Sequence, residues 1–411
     1  RGLVRRQLDR VDNAVVGLGG SSRSAGPVGG QRSNCGARSS GHGASLAPLP
    51  GVDHPRSTSD LGARARRVGS QPSRRFRPLR RWPGERVLRR LRGPLRWSLE
   101  APEAFWGALS DWADIPWSVA PSRALGVDSM PGAVWFPGGR LNHAELALRQ
   151  AMHTPGETAI VSVSQTRDRV ELSWSELADR VARCRLGLIE LGVGVGDRVV
   201  AYLPNIAETT IAFLATASLG AIWSSCAPEF GVRAVTDRWS QVRPKVLLTV
   251  DGYRYGDKDI DRSRHVAEIV AGLPTLEHVV RLPYLDPTGE DGWSALLDHE
   301  PSVAGDAMAF EPVSFDHPLY VLFSSGTTGL PKPIVHGHGG ITVEHVKALA
   351  LHYDLGPGDR FCWFTTTGWM MWNFVVSGLF TDASIVLYDG NPGTPDLGVL
   401  WDLAEAAGVT C

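Results

Sequence analysis

Residues 323 to 336 read FSSGTTGLPKPIVH, and these residue types in this order suit one task, the holding of phosphate groups. Ser324, Ser325, Thr327 and Thr328 offer four hydroxyls. Gly326 and Gly329 permit positive φ, so that successive backbone N–H groups can turn inward as an anion nest, and Lys332 adds a mobile point charge for phosphate oxygens. A Walker loop would need four residues between its glycines and Ser or Thr after the Lys; here two residues separate Gly326 from Gly329, and Pro333 follows Lys332. A Rossmann fingerprint is absent as well. The plain alternative is a Ser/Thr/Gly surface turn, and the flanks argue against it. Leu319 to Phe323 is an apolar run of β-formers suited to a strand buried on both faces, and Ile334-Val335 begins another.

The string SSGTTGLPKP, residues 324 to 333, resembles the phosphate loop of the adenylate-forming superfamily, which includes acyl-CoA synthetases, luciferases and peptide-synthetase adenylation domains. Upstream, GDRVVAYLPN at 196 to 205, Glu208 and the small-residue run to Gly220-Ala221-Ile222 resemble the early core of that superfamily. WFPGGRLN at 135 to 142 is similar to the amino-terminal segment of acetyl- and acetoacetyl-CoA synthetases. TTTGWMMWN at 365 to 373 and YDGNP at 388 to 392 resemble the acetoacetyl-CoA synthetases in particular. The similarity runs from about residue 95 to residue 411.

The resemblance implies an α/β fold, a partial large amino-terminal domain with mixed and parallel sheets flanked by helices. It implies an acid–thiol ligase that takes acetoacetate, ATP and CoA, with Mg2+. The carboxylate attacks the α-phosphorus of ATP to give acyl-adenylate and pyrophosphate, and the CoA thiol then displaces AMP. Ser324, Ser325, Gly326, Thr327, Thr328, Gly329 and Lys332 would hold the ATP phosphates, with Lys332 orienting pyrophosphate as the leaving group. Arg254 and Lys258 fall where related acetyl-CoA synthetases contact CoA, although two basic residues on a polar loop are ordinarily just solvated. The family's aromatic-Gly-Thr segment with its acidic magnesium ligand, its ribose-binding Asp, its hinge and the mobile domain bearing its main catalytic Lys would follow Cys411. The expectation is therefore a truncated chain not competent by itself. An acetyl- or propionyl-CoA synthetase, and a non-catalytic fragment or weak nucleotide binder, are the competing readings.

Thr365 to Asn373 follows an expected strand end, where α/β folds place ligand sites. Trp369, with Met370, Met371 and Trp372, could line a small acyl pocket, and Thr367 or Asn373 could hydrogen-bond a 3-oxo group; four large apolar residues in a row are otherwise core. His336 and His338 have the spacing of a metal pair but no third ligand nearby, so no metal site is expected and the pair is read as lying at a helix start or against the adenylate.

Those residues need a scaffold, and the composition supplies one unevenly. The chain has 411 residues, 43% of them hydrophobic, and a net charge of −1, which hides an asymmetry. Residues 1 to 96 hold 21 Arg, no Lys and 5 acidic residues; the remainder holds 21 basic and 38 acidic residues. The first 94 residues, rich in Arg, Gly, Ser and Pro, read as a disordered or mistranslated leader, with 95 to 411 as an incomplete AMP-binding domain. No aromatic interleaving accompanies the arginines, so nucleic acid is not expected as a partner. The leader should be trimmed quickly by protease to near Trp97. Five widely spaced cysteines, Cys35, Cys184, Cys226, Cys362 and Cys411, suggest a reducing, cytoplasmic setting. The most hydrophobic stretch, Thr210 to Ala227, suits a buried helix and a strand better than a membrane span. Nothing in the sequence indicates the oligomeric state.

Along the body, the pattern predicts a helix over 97 to 112 and strands at 159 to 163 and 170 to 174. A helix from 175 to 191, closed by Gly192, follows, then a strand at 199 to 203, its crossover helix at 208 to 219, and a strand at 246 to 250. Val343, Val346, Ala350 and Tyr353 mark one face of a helix. Strands at 361 to 364 and 385 to 388, a helix over 397 to 407 and a strand beginning at Val409 complete an alternation typical of parallel βαβ units.

Overall fold

The computed structural model describes residues 92–301, 309–324 and 329–411, with side chains from Leu95 onward. The expectations for the leader up to residue 91, and for Ser325, Gly326, Thr327 and Thr328, lie outside the described residues. Two sheets dominate. The first has six strands in the order 278–282, 246–250, 198–202, 222–226, 318–324, 332–337. Its first five strands are parallel, and the last returns antiparallel as an edge. The second has four strands in the order 360–362, 384–389, 158–164, 170–173, parallel except for the last pair.

Parallel strands covered on both faces read as unbroken apolar runs, and Val246–Val250 is buried at every residue. Alternate side chains then enter different layers. Val199, Ala201, Val246 and Leu248 join the main core with Leu177, Val181, Ile211 and Leu214. Val200, Tyr202 and Leu247 face Val235, Trp239, Val266 and Ile269 on the other side. The second sheet behaves likewise: Ile160, Ile385 and Leu387 enter the main core, while Val161, Val386 and Tyr388 pack beneath Leu403 and Ala407 of the helix Val399–Ala407.

The helix Ala207–Ser218 is buried at every position except Glu208. A helix apolar all round belongs in a core, and this one makes contacts with strands of both sheets. The helix Trp174–Glu190 starts from a capping box in which Ser173 and Glu176 satisfy one another's backbone N–H groups, and it ends before Gly192 at φ +73.

Several expectations shift. The single helix over 97 to 112 is two, Arg92–Glu100 and Pro102–Trp112, because Pro102 starts a new helix and cannot continue the old one. The helix marked by Val343 is α-helical only over His338–Val346, and Lys347–His352 continues as a π-helical turn. The segment carrying Arg254 and Lys258 is a β-hairpin, Gly252–Tyr255 against Lys258–Asp261, rather than a loop. Its polar outward residues hid the alternation. At the other end, Thr410 N and Cys411 N donate to Arg360 O and Cys362 N donates to Cys411 O at 2.9 Å, the start of parallel pairing on that sheet edge.

Candidate active site

All five parallel strands of the six-stranded sheet point their carboxyl ends the same way, and so do the three parallel strands of the other sheet. The two sets of ends meet. Asn205, just past the strand Arg198–Tyr202, donates from Nδ2 to Thr365 O at 3.3 Å and Tyr388 O at 3.4 Å, and its Oδ1 accepts from Trp372 Nε1 at 3.1 Å. Thr367 Oγ1 donates to Leu203 O at 2.7 Å, and Ser225 Oγ donates to Thr367 O at 2.7 Å. Gly368 lets this segment close in, since a Cβ there would sit 2.8 Å from Phe230 Cζ. The result is a narrow cleft of about 20 Å3 whose walls include Asn205, Glu229, Tyr253, Tyr255, Thr365 and Asp389.

One wall is a buried hydroxyl–carboxylate network. Ser164 Oγ and Tyr284 Oη lie 2.5 Å apart, and Tyr284 Oη donates to Asp389 Oδ2 at 2.7 Å. Burial pushes the Asp389 carboxyl up to about 7, against the hydrogen bonds from Tyr284 and Ser164, which favour the charged form. Burial, then the nearby Asp389 charge, holds the Tyr284 hydroxyl well above its usual value. The Arg167 guanidinium lies 4.5 Å from the Tyr284 ring centre and pairs with Glu208 at 2.9 Å.

The phosphate-loop candidate sits at the same edge. Ser324 ends the strand Pro318–Ser324 and lies opposite Lys332, the first residue of Lys332–Gly337, so the two strands form a hairpin whose loop emerges at the carboxyl ends of the parallel strands. Ser324 and Lys332 are exposed, and Gly329 adopts φ +107. Two residues not singled out in the sequence steady the base of the loop. Gln241 Nε2 donates to Pro331 O at 3.0 Å, and the Arg238 guanidinium lies between the Phe230 and Phe323 rings, 5.1 and 5.9 Å from their centres. Neither carries a sequence signal, because both lie on the helix Val232–Val242, over eighty residues away.

The family model for AMP-binding enzymes matches residues 148–411. The chain belongs to the AMP-binding enzyme family. A second model, the acetyl-coenzyme A synthetase N-terminus, matches residues 94–147. Acetoacetyl-CoA synthetase of Rhizobium meliloti is 42% identical over 318 residues, 75% of this chain and 48% of that protein. Its counterpart in Mus musculus is 39% identical, over 76% of this chain and 48% of its own length. A malonamoyl-CoA synthetase of Penicillium aethiopicum is 36% identical, over 72% and 43%. The solved acetoacetyl-CoA synthetase of Streptomyces lividans superposes with a TM-score of 0.73 and 52% identity, over 77% of this chain and 48% of that one. The chain spans about half the length of the curated relatives it matches.

Of the acyl-pocket candidates, Thr367 is fully buried and its hydroxyl proton is committed to Leu203 O. Trp369 is 64% exposed at the start of the helix Met370–Val376, and Asn373, one turn on, is 2% exposed with neither amide atom partnered among the described residues. The structure therefore does not gather these three side chains around the cleft; Thr365 and Thr366 line it instead. Trp372 is core, stacked on Trp223 with ring centres 6.3 Å apart. Arg254 is exposed and engaged by Asp259 at 2.7 Å, whereas Lys258 has no ion-pair partner among the described residues. His336 lies against the Tyr320 ring, and His338 begins its helix fully buried, its Nδ1 accepting from His143 N at 3.3 Å. Asn205 and Asp389 fell inside quoted motifs, but their roles depend on partners brought from distant segments.

Proposed function

We propose that this chain carries the acid-activating half of an ATP-dependent, AMP-forming acetoacetate–CoA ligase. The observation that carries the reading is that Ser324 and Lys332, which flank the hydroxyl- and glycine-rich segment, pair at the carboxyl ends of the parallel strands, in a chain whose similar proteins include acetoacetyl-CoA synthetases. Acetoacetate would offer its carboxylate to the α-phosphorus of ATP. Ser324, Ser325, Gly326, Thr327, Thr328, Gly329 and Lys332 would cradle the departing pyrophosphate and offset its developing charge. The residues before about 94 would take no part in this chemistry. CoA would approach along the hairpin bearing Arg254 and Lys258.

Two observations favour a 3-oxo acid over acetate or propionate. Acetoacetyl and malonamoyl groups, named for the similar proteins, share a carbonyl at position 3. The second is Asn373, one helical turn past Trp369, whose amide is unpartnered among the described residues; it lies outside the cleft lining and would serve such an oxygen only if the acid reached it. Mg2+ would neutralise phosphate charge, but the described residues include no group of three His, Cys, Asp or Glu that could hold a metal ion, so no step is assigned through it. No helix among the described residues is long and apolar enough to cross a membrane. We place the protein in the cytoplasm, where free thiols such as those of Cys184 and Cys226 are kept reduced.

The test is acid-dependent ATP–pyrophosphate exchange on the intact protein with acetoacetate, acetate and propionate. We expect acetoacetate to be preferred, and Lys332→Ala to slow exchange by about 10- to 100-fold with the melting temperature unchanged. Preference for acetate would move the assignment to an acetyl-CoA synthetase. Nucleotide binding without exchange by any of the three acids would leave a nucleotide binder.

A further inference from the structure

Four consecutive residues at the end of the strand Thr158–Ser164, Ser164 to Arg167, each bond distant segments. Ser164 joins Tyr284 and Asp389, Thr166 Oγ1 accepts from Arg254 N at 2.9 Å, and Arg167 holds Glu208 and donates to Pro283 O at 2.7 Å. Gln165 between them does the most. Its Nε2 donates to Asn391 O at 3.3 Å and Thr394 O at 3.0 Å, and its Oε1 accepts from Asn391 N and Gly256 N, both at 2.8 Å. Both amide protons and both carbonyl lone pairs are thus committed. Its backbone N–H continues the sheet by donating to Asp389 O at 3.0 Å.

The partners give this stitch its meaning. Gly256 is in the turn of the hairpin that carries Arg254 and Lys258, and Asn391 and Thr394 belong to the loop that follows Asp389. Tyr253 and Tyr255 of the hairpin, Asp389 at its strand end and Gly390 of the loop all line the cleft at the strand ends. The amide plane fits because Gly390 lacks a side chain: it adopts φ +152, and a Cβ there would lie 2.7 Å from Gln165 Cδ. Gln165 therefore ties the hairpin turn to the loop by hydrogen bonds, beside the Thr166 bond to Arg254 N and the core packing of Tyr253. The hairpin is only two four-residue strands that pair with no other sheet, and an isolated two-stranded hairpin has little stability of its own.

We propose that Gln165 is a positioning residue for the thiol-transfer step: it pins the Gly252–Asp261 hairpin to the Asp389–Thr394 loop and so sets the affinity for CoA without acting on the adenylation step. The proposal rests on the reading of the hairpin as the CoA approach, but not on the identity of the acid. A Gln165→Ala change would free the hairpin turn at Gly256 while Thr166 still holds Arg254 N, and Gln165→Glu would keep the two accepted bonds while setting a carboxylate against Asn391 O and Thr394 O. Neither change touches the phosphate loop.

The experiment uses the intact protein with whichever acid supports pyrophosphate exchange, so that failure of the acetoacetate reading stays separate. Three quantities are measured for wild type, Gln165→Ala and Gln165→Glu: the KM for CoA in thioester formation, the pyrophosphate-exchange rate, and amide hydrogen exchange over 252–261. We expect the KM for CoA to rise about tenfold in Gln165→Ala and by an intermediate factor in Gln165→Glu, with pyrophosphate exchange within about twofold of wild type. Protection should be lost in the hairpin and kept in the strands 198–202 and 246–250. An unchanged KM for CoA, unchanged hairpin protection, or a parallel fall in both half-reactions would overturn the proposal.

Discussion

Buried polar groups collect at both edges of the six-stranded sheet, and the two collections are built on opposite principles. At the amino-terminal edge, His143, His338 and His345 lie among aromatic rings; His143 Nε2 and His338 Nε2 have no partner among the described residues. Burial lowers His143 and His345 to about 3 and holds His338 well below its usual value, with neighbouring histidines pushing the same way. At the carboxyl-terminal edge, Ser164, Gln165, Thr166, Arg167, Asn205, Tyr284 and Asp389 are bonded to one another or to backbone atoms of three distant segments. The first edge keeps its histidines as neutral rings, His143 Nδ1 lying 3.3 Å from Thr342 Oγ1 and His345 Nδ1 2.8 Å from Ser377 Oγ, with Asn142 beside them bonded to backbone of distant segments. The second uses polar atoms to fix the geometry of a cleft. Reaction sites in open α/β sheets gather at the second edge.

The contrast is sharpest against pH. An unfolded histidine binds a proton near 6.5, whereas folded His143, His338 and His345 stay neutral far below that, so between these values the unfolded chain holds more protons. Stability should be complete above pH 6.5 and fall as pH drops, by about 1.4 kcal/mol per pH unit for each histidine and about 4 kcal/mol for the three. Urea midpoints that stay level from pH 7.5 to 5 would contradict this account of the dry edge.

The next effect is at the other edge. Asn205→Ala leaves Trp372 Nε1 without its acceptor and Thr365 O and Tyr388 O without their donor, at a cost of about 1 to 3 kcal/mol. A loss below about 0.5 kcal/mol by chemical denaturation would mean that the sheets meet without this residue.

Asp389 has the reverse pH sign to the histidines. Its folded pKa, about 7, lies above its ordinary 3.8, so the folded chain holds the extra proton between those values and this contribution weakens as pH rises through them. Comparing wild type with Asp389→Asn across pH 4 to 7 isolates it. The wild-type curve should fall relative to the variant, by at most about 1.4 kcal/mol per unit, and parallel curves would show that Asp389 ionises normally. The smallest effect concerns Arg254→Ala. The Arg254–Asp259 pair is solvent-exposed, and its loss should leave the urea midpoint essentially unchanged. A clear fall would make Arg254 a part of the scaffold rather than a surface residue free to serve a ligand.

What could be read directly from the chain was local. The runs at 158–164, 198–202 and 246–250, the helix before Gly192, the buried helix Ala207–Ser218 and the strands flanking Ser324 and Lys332 each carry their period, cap or residue set within a few positions. The helices Val232–Val242 and Ser263–Ala271 and the hairpin at 252–261 were not legible, because half-exposed amphipathic elements mix polar and apolar residues as loops do. The cleft was less legible still. Asn205 bonds residues 160 and 183 positions away, and Gln165 bonds residues 91 and more than 220 positions away. A side-chain amide bonds whatever backbone the fold brings within about 3 Å, and no spacing along the sequence encodes that neighbour. The sequence by itself determined the α/β alternation, since it is written in consecutive residues. Which hydroxyls were spent on backbone, which edge was dry and which side chains pinned the cleft were decided only when two sheets from separate stretches of chain were packed around one buried helix.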